Sequence, residues 1–316
     1  MAVELPLAYL LDLTLGDPTT WPHPVRWLGR LIAFLEGPLR RTFRNPRIAG
    51  LALTGICIIV AAGSAAVTVS LATQLHPILG LAAAAALIYW AISVKDLADH
   101  ARAVHLPLSQ GNLPAARQAL TKIVGRETSQ LTEAGVIRAT VETIAENTVD
   151  GVVSPLFYTA LGGPPLVWAF KAASTLDSMV GYKSEPYQEF GWAGARLDDL
   201  FNWLPARLSG GLFTLAAWLT RLDWRQTWKI CRRDGHRHAS PNAGWPEAAI
   251  SGALGLRLGG PNVYHGELVD KPWLGDGWRE PDTSDILKAV RLLYAVSALT
   301  VLVFFFLALV VKILLT

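Results

Sequence analysis

From Ile48 to Val94 the chain carries no Lys, Arg, Asp or Glu, and Gln74, His76 and Pro77 interrupt the apolar run near its middle. Each half approaches or exceeds the roughly 20 apolar residues that cross a ~30 Å hydrocarbon core. The pattern predicts a transmembrane hairpin over 48–73 and 77–94, with Ala and Gly in both halves suited to close helix packing. A buried helical hairpin is the soluble alternative. A further span is predicted over 291–312, where an uncharged Val-, Leu- and Phe-rich stretch is flanked by Arg291 and Lys312. Two other runs, 151–170 and 203–220, read as membrane-crossing or re-entrant. The first is broken by Gly162-Gly163-Pro164-Pro165 and the second is short of charge only from Leu208 to Thr220, so either also suits a soluble core helix.

The polar stretches between these runs show helical rather than alternating periodicity, without internal repeats. Asn112 followed by Pro114 predicts one helix start. Thr128 or Ser129 predicts another, ahead of a helix whose apolar residues Leu131, Ala134, Ile137, Val141 and Ile144 recur at helical spacing. The expected fold is mainly α, a polytopic integral membrane protein read as one domain over 1–316. Its polar helical segments and loops are expected to form a site on the cytoplasmic side. Arg40, Arg41, Arg44 and Arg47 precede the first span, and six cations between Arg221 and Arg237 follow the run at 203–220; both groups belong on the cytoplasmic side by the positive-inside rule. If every upstream run crossed, 171–202 would face outward, which speaks against a crossing at 151–170.

Composition narrows the class. Of 316 residues, 52% are hydrophobic and only 17% charged, which disfavours a purely soluble enzyme. The 28 basic and 25 acidic residues balance to +3, so no basic stripe for nucleic acid is expected. Two cysteines, Cys57 and Cys231, supply neither a disulfide framework nor a CxxC site.

Three polar constellations remain. Glu142, Glu146 and Asp150 stand at i, i+4 and i+8, within about 80° of one another around an α-helix. Stacked carboxylates repel unless a cation sits among them. Mg²⁺ suits the place because it takes carboxylate oxygens and keeps water and phosphate ligands, and Asn147 adds a carbonyl oxygen. The competing reading is a solvated face on which Arg138 pairs with Glu142. A second cluster runs from Lys171 through Asp177, Tyr182 and Lys183 to Arg196, Asp198, Asp199, Asn202 and Arg207, mixing carboxylates with phosphate-clamping cations. Interfacial anchors and ion pairs would give the same composition. Gly181-Tyr182-Lys183-Ser184 is not a P-loop, because Leu176 stands where its first glycine belongs. The third cluster, Asp234, His236, His238, Ser240, Asn242 and Glu247, suits a polar loop opening a helix, where free N–H groups receive phosphate. His238 fits a general base, a phosphate contact or a histidine that merely satisfies its loop, whereas a zinc site on Cys231, His236 and His238 lacks paired ligands. Near the start, His23 is held between Pro22 and Pro24 ahead of Arg30, an ordered turn.

Taken together, GDPTTWPHPVRWLGRLI, ETIAENTVDGVVSPLFYTALGG, KAASTLDSMVGYKSEPYQEFGWAGARLDDLFNWLPARLSG and RDGHRHASPNAGWPEAAISGALGLRLGGPNVYHG resemble the CobD/CbiB family of adenosylcobinamide-phosphate synthases, from about Asp12 to Gly266. The resemblance implies an ATP- and Mg²⁺-dependent ligase of the cytoplasmic membrane with its active site facing the cytoplasm. Such an enzyme joins (R)-1-aminopropan-2-ol or its O-phosphate to adenosylcobyric acid through an acyl phosphate. That chemistry needs a metal, phosphate clamps and a base, and for these roles we read Glu142, Glu146, Asp150 and Asp177 as metal ligands. Asp198, Asp199, His238 and Lys183 become catalytic candidates. Lys183 also joins His23, Arg30, Asn147, Arg196, Arg207, Ser240, Asn242 and Glu247 as candidates for holding substrate and phosphate. Membrane lipid and other cobalamin-assembly enzymes are the expected partners. Two further readings stay open: a metal-dependent membrane phosphotransferase, for which Asp198-Asp199 lacks a repeated acidic counterpart, and a non-catalytic sensor or regulator on the same scaffold.

Overall fold

The computed structural model describes residues 3–18, 20–264 and 267–315; Thr19, His265 and Gly266 of the quoted motifs lie outside them. The described chain is mainly helical, as expected. The helices are α1 (Glu4–Leu15), α2 (Pro24–Thr42), α3 (Pro46–Leu75), α4 (Pro77–Tyr89), α5 (Val94–Ser109), α6 (Leu113–Leu120), α7 (Glu133–Thr148), α8 (Ser154–Val180), α9 (Trp192–Leu219), α10 (Trp224–Asp234), α11 (Gly244–Leu254) and α12 (Ser284–Leu315). A π-helical turn, Val149–Val153, joins α7 to α8. Short strands β1 (Leu258–Gly259), β2 (Asn262–Tyr264), β3 (Glu267–Val269) and β4 (Trp273–Leu274) pair antiparallel as β1 with β4 and β2 with β3. Strands of two or three residues are too short to show alternation, which is why the sequence pattern does not announce them.

Three helical runs are long and apolar enough to cross a membrane: Pro46–Leu75, Pro77–Ser109 and Ser284–Val310. They contain most of the runs predicted at 48–73, 77–94 and 291–312. The run at 151–170 becomes part of α8, which breaks at Gly163 (φ 63°) just before Pro164 and Pro165. The run at 203–220 lies in α9. Neither is among the three.

The sequence shows no break, yet the contacts gather into two compact units. The first comprises Met1–Ser93, Ser154–Asn202 and Val301–Thr316. Three of its helices open with one device, an N-cap side chain followed by Pro at the first helical position: His23-Pro24, Asn45-Pro46 and His76-Pro77. Leu53, Cys57, Trp168, Leu176 and Phe190 build its core. At Gly50 a Cβ would sit 1.9 Å from the Phe190 carbonyl oxygen, so α3 packs directly on backbone. Gly50→Ala is therefore expected to lower stability by roughly 1–3 kcal/mol through overpacking, read as an earlier thermal transition in detergent.

The second unit comprises Val94–Val153 and Trp203–Thr300. Asn112 caps α6 as predicted, its side chain accepting the Ala115 N–H at 3.1 Å. The predicted start of α7 at Thr128 or Ser129 is corrected to Thr132, whose hydroxyl accepts the Gly135 N–H at 3.2 Å. Thr128 is buried and its hydroxyl donates to the Arg117 carbonyl instead, at 3.3 Å. Helix α7 buries Val136, Ile137, Val141 and Ile144, which fixes the face that Glu142 and Glu146 share.

Candidate functional site

Each unit carries a polar cluster that gathers residues predicted from the sequence. In the first, α8 ends in a turn bearing Asp177 and the opening turns of α9 bear Asp198 and Asp199. Gly194 lets the two helices approach, since a Cβ there would lie 3.0 Å from that of Leu176. Asn202 donates from one amide nitrogen to both Asp198 oxygens at 3.2 Å, and the Ser154 hydroxyl donates to the Asn202 side-chain oxygen at 2.5 Å. This chain orients Asp198 from buried neighbours. Burial pushes the Asp198 carboxyl up to about 7, the nearby Asp177 charge adds to the rise, and the Asn202 hydrogen bonds and Lys171 oppose it. Burial likewise raises Asp177 to about 6, helped by Asp199 and countered by Lys183. Asp199 is raised mainly by burial against Arg196, 4.0 Å away, and Lys183. Three crowded carboxyls with cations beside them can hold a proton at neutral pH and release it to a small change in charge.

In the second unit a pocket is lined by Arg126, Glu142, Glu146, Asn147, His238, Glu247, Gly259 and Lys271. Arg126 pairs with one oxygen of Glu142, and the Gly259 N–H donates to the other at 2.7 Å. The i,i+4 partner Arg138 is thus corrected: its guanidinium lies over the Trp273 ring instead, 5.9 Å from the centroid. Glu247, at the first turn of α11, is pushed well above the ordinary carboxyl range by burial and by the charges of Glu142 and Glu146, with Lys271 and Arg126 opposing. His238 Nδ1 accepts the Ser240 N–H at 3.0 Å, which leaves its proton on Nε2, 3.9 Å from Glu247. In that state His238 offers a donor rather than a base. The same loop is tied down by Ser240, whose hydroxyl accepts from the N–H groups of Asn242 and Ala243 at 3.2 and 3.3 Å. Arg207 donates to Asn242 Oδ1 and the Pro241 carbonyl, both at 3.4 Å, and packs over Trp203 and Trp245.

The predicted residues therefore separate. Glu142, Glu146, Asn147, His238 and Glu247 share the pocket of the second unit, with Arg207, Ser240 and Asn242 bracing its loop. Asp177, Lys183, Arg196, Asp198 and Asp199 form the cluster of the first. Asp150 falls in the π-helical turn, Val149–Val153, and is not among the residues lining the pocket. His23 is the N-cap of α2: its Nδ1 accepts the Val25 N–H at 3.2 Å and its Nε2 lies 3.6 Å from Asp17. Arg30 is exposed on α2. Sequence reading missed Arg126, Lys271 and the Gly259 amide, two loop residues and the end of β1; no spacing links them to α7. Among the described residues no group of three His, Cys, Asp or Glu side chains is placed to hold a metal ion. Cys231 is buried, its thiol directed at the Trp245 carbonyl at 3.5 Å, not at a histidine.

The chain matches the profile of the CobD/Cbib protein family over residues 5–293. It is 48% identical to the cobalamin biosynthesis protein CobD of Photorhabdus laumondii over 94% of both chains, and 48% identical to that of Klebsiella pneumoniae over the same shares. It is 46% identical to the cobalamin biosynthesis protein CbiB of Salmonella typhi, again over 94% of each. No solved structure matches the chain at a significant level. With the profile covering nearly its whole length and curated relatives near half identity, this chain belongs to the CobD/CbiB family of cobalamin biosynthesis proteins.

Proposed function

We propose that the chain is an ATP- and Mg²⁺-dependent ligase of the cytoplasmic membrane, joining (R)-1-aminopropan-2-ol or its O-phosphate to a propionate carboxyl of adenosylcobyric acid. The observation that carries this reading is the trio Asp177, Asp198 and Asp199 with Lys171 and Lys183 in electrostatic reach, a poised acid–base group beside phosphate-binding cations. A carboxylate is a poor electrophile toward an amine, so its oxygen first bonds to the γ-phosphorus of ATP as the bond to ADP breaks. The amine nitrogen then bonds to the acyl carbon, inorganic phosphate leaves, and the proton lost by nitrogen needs an acceptor. Asp198, raised toward neutrality, is matched to that task. Lys183 and Arg196 offset the negative charge of the phosphoryl group.

The pocket of the second unit suits a divalent ion that arrives with phosphate. Burial raises Glu247 and the charges of Glu142 and Glu146 add to the rise; a hard cation in the pocket would offset those charges. Glu142 has both oxygens engaged; Glu146 and Asn147, which line the same pocket, would hold Mg²⁺ with phosphate and water oxygens as its further ligands. When bound there, the ion would neutralise charge on the phosphate oxygens that ligate it.

Sidedness supports the same reading. With Arg40, Arg41, Arg44 and Arg47 inside, a crossing at Pro46–Leu75 and a return at Pro77–Ser109 would bring the chain that follows Ser109 back to the cytoplasm, where ATP is found.

The test is product formation by detergent-purified protein given adenosylcobyric acid, ATP, Mg²⁺ and either amine, read by mass spectrometry. A corrinoid heavier by the amine residue, formed only with ATP, is expected. Absence of product with both amines, from folded protein, would sink the ligase reading in favour of a sensor. Glu146→Gln and Lys183→Ala are each expected to cost at least about a hundredfold in kcat while leaving membrane insertion and the thermal transition unchanged. Near-normal turnover in either removes that residue from the site.

A further inference from the structure

On the second unit, α9 leaves an apolar stripe uncovered. Leu204, Leu208, Leu215 and Trp218 are 40–59% exposed and recur with Gly211 at intervals of four and three, one face of the helix. The stripe runs into a groove whose far wall is α10, through Trp224 and Trp228. Helix α10 is strongly two-faced. Thr227, Ile230 and Cys231 are buried, whereas Trp224 and Trp228 stand out at 42% and 44% exposure. Along the neighbouring row stand Arg225, Lys229 and Arg232, also at four- and three-residue spacing and all exposed. Arg225 lies 5.4 Å from the centroid of the Trp224 ring and Arg232 5.7 Å from that of Trp228. Among the described residues none of the three cations has a carboxylate within ion-pair distance.

An apolar trough that holds three tryptophans and is rimmed by a row of unneutralised cations has the chemistry of neither a soluble surface nor a protein core. Isolated exposed apolar residues are ordinary, but a continuous stripe of them marks a contact. Tryptophan is enriched where hydrocarbon meets headgroup, and basic side chains there attract anionic lipid. The asymmetry of charge selects the occupant: the trough accepts an acyl chain and the cation row a phosphate-bearing headgroup. We propose that the groove between α9 and α10 binds an anionic phospholipid, with its headgroup on Arg225, Lys229 and Arg232 and an acyl chain against Trp218, Trp224 and Trp228. The site is separate from the pocket that contains Glu142 and does not depend on the ligase reading.

Native mass spectrometry of the detergent-purified full chain, delipidated and titrated with phosphatidylglycerol or phosphatidylcholine of matched acyl chains, tests this. Wild type is expected to retain phosphatidylglycerol at least about tenfold better. Arg225→Gln/Lys229→Gln/Arg232→Gln should erase the preference, and the corresponding triple Lys variant (Arg225→Lys and Arg232→Lys with Lys229 kept) should preserve it. Trp224→Ala/Trp228→Ala should weaken retention of both lipids. All these side chains are exposed, so an unchanged thermal transition is expected in every variant. Equal retention of the two lipids by wild type, or a preference that survives the Gln variant, overturns the proposal. So does a dimer peak that competes with lipid and vanishes in the Trp variant, which would make the face a contact between copies.

Discussion

Asp198→Asn is expected to abolish ligation, by about 10²–10⁴-fold in kcat, while making the folded protein more stable at pH 8. The two effects share a cause. Burial and the Asp177 charge raise the Asp198 carboxyl to about 7 in the fold. The stability it contributes is fully present below the unfolded carboxyl range near 4 and is lost as pH rises through about 7, where the folded chain must carry the charge. Asn removes that charge and keeps an acceptor for Asn202. Its stabilisation should therefore be absent near pH 4 and largest above pH 7, seen as a pH-dependent gap between the thermal transitions of variant and wild type. In wild type, kcat should climb with pH across the same range as the base becomes available. A stability gap that does not vary with pH would remove the raised carboxyl from the account. An activity near wild type would remove Asp198 as the proton acceptor.

Arg126→Ala is expected to destabilise the protein by roughly 3–5 kcal/mol, because it leaves a buried carboxylate without its counter-ion. Arg126 and Glu142 are only 11% and 6% exposed in their side chains, so solvent screens the pair little. The same loss raises Glu247 further, since Arg126 is one of the two cations that oppose its upward shift. Arg126→Ala/Glu142→Gln should recover most of the stability: glutamine carries no charge and still accepts from the Gly259 N–H. The measurement is thermal unfolding of single and double variants in one detergent. A single variant within about 1 kcal/mol of wild type would show that the pair is solvated and that the pocket is not closed as described.

The sequence by itself determined the helical class and the three runs long and apolar enough to cross a membrane, because run length and the absence of charge are local properties legible residue by residue. It also determined which polar residues are concentrated, and the order of long motifs that marks the family. Local capping was legible where a side chain and a proline are neighbours, as at Asn112 and Pro114, and misread where Thr128 turned inward and Thr132 took the cap. The tertiary structure decided how the polar residues group. Asp177 joins Asp198 and Asp199 because α8 and α9 touch through Gly194, a contact between helices that no periodicity encodes. Asp150 falls in the π-helical turn and is not among the residues lining the pocket, and Arg126 reaches Glu142 in place of Arg138. Charge state followed from the same decision. A carboxyl's neighbours and its access to water exist only after packing, so the proton on Asp198 belongs to the fold and not to the sequence pattern.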